Sequence, residues 1–70
     1  MDEGLAHEIA DELLIVTESF NRLSHLTMQM TDESERRSYR KSLGTLMLDF
    51  NHELVRPITA KYPHLNPIKT

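Results

Sequence analysis

The apolar residues of the first half of this chain recur at helical spacing, and that repeat limits what the chain can fold into. Leu5, Ile9, Leu13, Val16, Phe20, Leu23 and Thr27 are separated by 4, 4, 3, 4, 3 and 4 positions. At about 100° per residue they fall within an arc of roughly 80°, one face of an amphipathic helix. Asp2 and Glu3 stand where acidic groups complement the positive end of a helix macrodipole. No Pro or Gly interrupts the segment after Gly4.

A break falls at Met30-Thr31-Asp32, where Asp32-x-x-Glu35 and Thr31-x-x-Ser34 both read as N-cap patterns. A second face follows in Tyr39, Leu43, Leu46, Met47, Phe50 and Leu54. Pro57 disfavours helical geometry at Arg56, so this helix is expected to end or kink there. The sequence therefore predicts an all-α, antiparallel two-helix hairpin, with helix 1 at about 3–29 and helix 2 at about 33–56, each roughly 35–40 Å long. Residues 57–70 read as a proline-containing, partly ordered tail, with one short helical turn possible across Ile58–Tyr62 and Pro57 at its start. Beyond Pro63 an extended chain is expected.

A lone hairpin buries a single seam, a poor offset for its conformational entropy. The chain has 70 residues and an apolar share of 39%, below the ~45–50% typical of globular domains. Such a length allows one domain and leaves no room for a barrel or a dinucleotide-binding unit with a partner domain. With no cysteine it has no disulfide framework, thiolate nucleophile or Cys-ligated zinc.

A second, weaker stripe offers a remedy. On helix 1 it runs Ala6, Ala10, Leu14, Thr17, Asn21 and Met28; on helix 2 it runs Gly44, Leu48, Asn51 and Val55. Both lie about 100–130° round from the main stripes. Gly44 costs about 1 kcal/mol relative to Ala inside a helix, and its small size lets another backbone approach. These stripes are expected to pair two hairpins into a homodimeric four-helix bundle, with Ala10, Leu14, Gly44, Leu48, Val55, Tyr62 and Leu65 at the dimer or partner interface. The blander reading is that Leu14, Leu48 and Val55 are scattered surface apolar residues.

Charge is divided along the chain. Residues 1–35 hold nine acids and one base, for −8, while residues 36–70 hold seven bases and two acids, for +5, summing to −3. Two hairpins packed antiparallel would bring one chain's acidic start towards the other's basic stretch, giving a salt-sensitive contribution that sets orientation rather than affinity.

Three other constellations are weaker. A half-bundle di-iron site would need Glu18 on helix 1 and Asp49-x-x-His52-Glu53 on helix 2 to face inward. His52 lies about 180° and Asp49 about 120° from the main stripe, and Glu18 nearly opposite its own. Only Glu12 and Glu53 approach a seam edge, so a solvated polar face is favoured. His7, His25 and His64 read as ordinary surface histidines, and no metal or other cofactor is expected. Ser19, Ser24, Ser34, Ser38 and Ser42 sit on predicted helices or caps without the strained turn a nucleophile needs, so no enzyme is expected.

The run Arg36-Arg37-Ser38-Tyr39-Arg40-Lys41 packs four cations into six residues and raises nucleic-acid contact as an alternative. The isoelectric point near 5.7 speaks against it, since nucleic-acid-binding domains are typically above 9. Arg36 is expected near the seam, with Arg37, Arg40 and Lys41 fanning across the outer face. In the tail, Ile58, Tyr62, Leu65 and Ile68 are expected to fold back over the open end of the hairpin, the other reading being a docking segment.

The acidic first fifteen residues lack the basic start of a secretory signal, and the longest apolar run, Leu13–Val16, is far short of the ~20 residues of a membrane span. A cytoplasmic location is the default, with no membrane contact. The expected function is that of a small protein–protein interaction module: adaptor, chaperone-like or regulatory.

Overall fold

A computed structural model describes residues 1–65. Two long helices lie against each other as an all-α hairpin: α1 (Glu3–Thr27) and α2 (Glu33–Phe50). Each is started by an aspartate. Asp2 accepts a hydrogen bond from the Leu5 backbone N–H at 2.7 Å, and Asp32 accepts one from Glu35 at 3.0 Å, satisfying donors that a helix start leaves without partners. Of the two cap patterns at the turn, the Asp32 one is used.

Helix α1 stops two residues before the expected position 29. Its end tightens instead into i→i−3 bonds from Met28, Gln29 and Met30. Two arginines of α2 reach across to that end. The Arg40 guanidinium donates to the Ser24 carbonyl at 2.8 Å and to Thr27 Oγ1 at 2.6 Å, while Arg36 donates to the Met30 carbonyl at 3.0 Å. Thr27 Oγ1 in turn donates to the Ser24 carbonyl, so this buried hydroxyl is satisfied. A cation at the carbonyl end of a helix also meets the negative end of its dipole.

Helix α2 ends at Phe50 rather than near 56, and the chain does not break there. Asn51–Val55 form one π-helical turn, with the Arg56 N–H donating to the Asn51 carbonyl, and α3 (Arg56–Lys61) continues from it with Pro57 in its first turn. Pro57 has no N–H, and in a regular helix its ring would clash with the carbonyl four residues back. The wide turn accommodates that ring while Arg56 stays helical, at φ −60° and ψ −39°. One extra residue also rotates the pattern by about 100°. Val55 consequently turns inward, at 3% exposure, and Leu54 turns outward, at 53%. A helix continued at regular pitch would have had Leu54 at the seam instead.

The tail is more structured than an extended segment. A 3-10 turn at Pro63–Leu65 follows α3, the Tyr62 hydroxyl donates to the Met1 carbonyl at 2.7 Å, and His64 Nε2 lies 2.7 Å from Glu3 Oε1. The open end of the hairpin is thus covered by the chain's own residues. Ala6, Ala10, Leu13, Val55 and Ile58 form the core there, with Ile9, Phe50, Tyr62 and Leu65 packed against it. Ala6 and Ala10 carry one methyl each, which lets the π turn and the 3-10 turn lie close to α1. Pro67 and Ile68, also expected to contribute cover, lie outside the described residues.

The line of contact along α1 runs through Ala6, Ala10, Leu13, Thr17, Phe20, Ser24 and Thr27, all buried or half-buried. It falls between the two sequence stripes rather than along the main one. Leu5, Val16 and Leu23, expected at the seam, are exposed, as are Tyr39, Leu46 and Leu54 on the second half.

Candidate interaction surface

Because the seam is rotated, the main stripes are left flanking it, and on one side they leave a largely apolar groove. Leu23 from α1 and Tyr39 and Leu46 from α2 stand along its edges, with Phe20, Leu43 and Ser42 at its floor and wall, enclosing a groove of about 200 Å³. Val16 continues the α1 edge towards the middle of the molecule. Leu43 is buried beneath the groove, and Phe20 meets Phe50 edge-to-face at a centroid distance of 5.3 Å, so the floor is held by packing within the chain.

The opposite flank differs in character. Its groove, about 210 Å³, is lined by Thr17, Phe20, Asn21, Met47, Phe50 and Asn51, with two amides and a hydroxyl among them. A methyl placed on Gly44 would meet nothing within 4 Å, so the glycine faces open space. Leu48 is exposed beside it and Leu14 is half-buried.

The residues expected at a dimer interface therefore separate into groups. Ala10 and Val55 lie in the chain's own core, and Tyr62 and Leu65 pack against that core. Gly44 and Leu48 remain on the open flank, with Leu14 at its border. The large exposed apolar side chains Leu23, Tyr39 and Leu46 stand on the other one. The main stripe is its signal in the sequence, where periodicity alone places that stripe at the hairpin seam.

The basic run is divided too. Arg36 and Arg40 are partly buried against the end of α1, so Arg40 does not fan outward as expected. Arg37 pairs with Glu33 one turn earlier, 2.9 Å away and exposed, and Lys41 is exposed. Ligating side chains are scattered: among the described residues no group of three or more His, Asp or Glu is placed to hold a metal ion. His7 sits 3.4 Å from Asp11 on the exposed face of α1, while His64 lies at the N-terminal end against Glu3. No helix among the described residues is long and apolar enough to cross a membrane.

No protein-family model, curated protein or solved structure matches this chain.

Proposed function

We propose that the protein is a small, non-enzymatic protein–protein interaction module whose hairpin associates as a homodimeric four-helix bundle. The observation that carries this reading is the row of large apolar side chains left in solvent along α1 and α2, Val16, Leu23, Tyr39 and Leu46 among them. Large contiguous apolar patches are rare on monomeric soluble proteins and mark association surfaces. The interior is correspondingly thin: among the described residues the buried apolar ones are Ala6, Ala10, Leu13, Leu43, Val55 and Ile58. Two alanines and a valine contribute little area at about 25 cal/mol per Å².

Both grooves are half open to solvent, which supports binding of a surface over chemistry on a small substrate. Nucleic-acid contact through Arg36, Arg37, Arg40 and Lys41 would have to compete with the hydrogen bonds that Arg36 and Arg40 make inside the hairpin.

Thermal unfolding followed by circular dichroism tests association directly. For a dimer that unfolds to monomers, the midpoint rises by several degrees as protein concentration goes from about 5 to 500 µM, because association stabilises the folded state by mass action. A cooperative midpoint that does not move with concentration would overturn the dimer.

A further inference from the structure

We infer that the second copy docks on the flank formed by Val16, Leu23, Tyr39 and Leu46, and not on the Gly44–Leu48 flank that the small-residue stripe marks. This rests on the reading of the protein as a self-associating module and specifies which surface does the associating.

Three observations select this flank and this occupant. The first is composition. The groove between Leu23 and Leu46 is walled by five apolar side chains and Ser42, whereas the groove on the other side contains Thr17, Asn21 and Asn51. Closing the second groove against another apolar surface would strip water from two amides, which is costly unless each finds a partner. Closing the first would cover the large exposed side chains Leu23, Tyr39 and Leu46 and strip water from no amide.

The second is size. Helix α1 has 25 residues, so at 1.5 Å rise it is roughly 37 Å long, and the molecule is 18 Å across in its second dimension. One broad face therefore spans roughly 700 Å² before side-chain relief is counted. A standard stable interface takes about 800 Å² from each partner. A second copy of the hairpin, offering the same face, can cover its full width, while a single docked helix would cover about half of it.

The third is shape. An interface between identical copies must be self-complementary, each chain presenting what the other accepts. This flank carries both parts: an edge of Leu23 and Val16 on α1, an edge of Tyr39 and Leu46 on α2, and a groove between them. Tyr39 suits the border of such an interface, with an apolar ring and a hydroxyl that can remain at the wet rim.

Leu46 and Leu48 make the test clean. They are two positions apart on α2, hence about 200° apart around it, and similarly exposed at 59% and 64%. Neither belongs to the core of the single hairpin. Leu46→Glu and Leu48→Glu, measured by sedimentation equilibrium beside the unmodified chain, therefore alter opposite flanks with the same chemistry. Leu46→Glu is expected to weaken dimerisation at least about 100-fold, since two copies of the side chain are lost from one interface, and Leu48→Glu less than about 3-fold.

If Leu48→Glu dissociates the dimer and Leu46→Glu does not, the flank is wrong while self-association stands. Equal effects of the two, or none from either, overturn the flank in the same way. If the unmodified chain is itself a folded monomer, the underlying reading fails. Should Leu46→Glu lose its helical signal, Leu46→Ala against Leu48→Ala makes the same comparison, with at least about 10-fold weakening expected for the first alone.

Discussion

Arg40 shows how one side chain decides which line of an amphipathic helix becomes a seam. Its guanidinium meets two acceptors at the end of α1, the Ser24 carbonyl and the Thr27 hydroxyl, 16 and 13 residues earlier in the chain. A charged donor that bonds partly buried acceptors contributes more than an exposed ion pair. Arg40→Ala is expected to lower hairpin stability by about 1–2 kcal/mol, partly through lost packing of the side-chain stem. Lys41→Ala, which removes an exposed cation one position on, should stay within about 0.5 kcal/mol. Urea unfolding of the two variants checks the contrast, and equal losses would mean that general charge rather than the capping contact matters. Composition alone shows four cations in a row; only the register of α2 against α1 tells which of them turn inward.

The helices themselves were legible in the sequence, because spacings of three and four leave little else for the apolar residues to do. Their caps were legible in part: Asp32 was one of two candidates, and the backbone at the turn chose it. The contact line was not. Each helix carries a broad apolar band, and any line within it satisfies periodicity. The choice fell between the stripes because Ala6 and Ala10 let the π turn and the 3-10 turn approach and because Arg40 fixes the far end. The π turn at Asn51–Val55 left one trace in the sequence, Pro57, which signals an interruption but not its form. That turn is what aims Val55 and Ile58 at the core. Deleting the exposed His52 would return the segment to regular helical pitch, swinging both residues about 100° and setting the Pro57 ring against a carbonyl. A loss above about 2 kcal/mol is expected, read as a lower unfolding midpoint. An unchanged midpoint would mean that the turn does not set the register of α3.

Taken whole, the molecule is a hairpin whose own core is small and whose larger apolar surface faces outward. The core gathers at the end where α3 and the 3-10 turn cover α1; along the remaining length, the hairpin presents the groove between Leu23 and Leu46. The surface proposed for association is visible in the sequence as the strongest stripe, but a helical stripe does not say whether its own chain or another covers it. The division of charge, −8 against +5, retains a role in orienting two copies, reduced by the inward commitment of Arg36 and Arg40. Raising salt should therefore weaken dimerisation only modestly, less than about 10-fold between 50 mM and 500 mM, measurable from the shift of the dissociation constant. Most direct is the solution mass of the unmodified chain by sedimentation equilibrium at micromolar concentration. A folded species of twice 8.2 kDa is expected, and a folded, non-associating species of 8.2 kDa would contradict the proposal that this hairpin is half of a bundle.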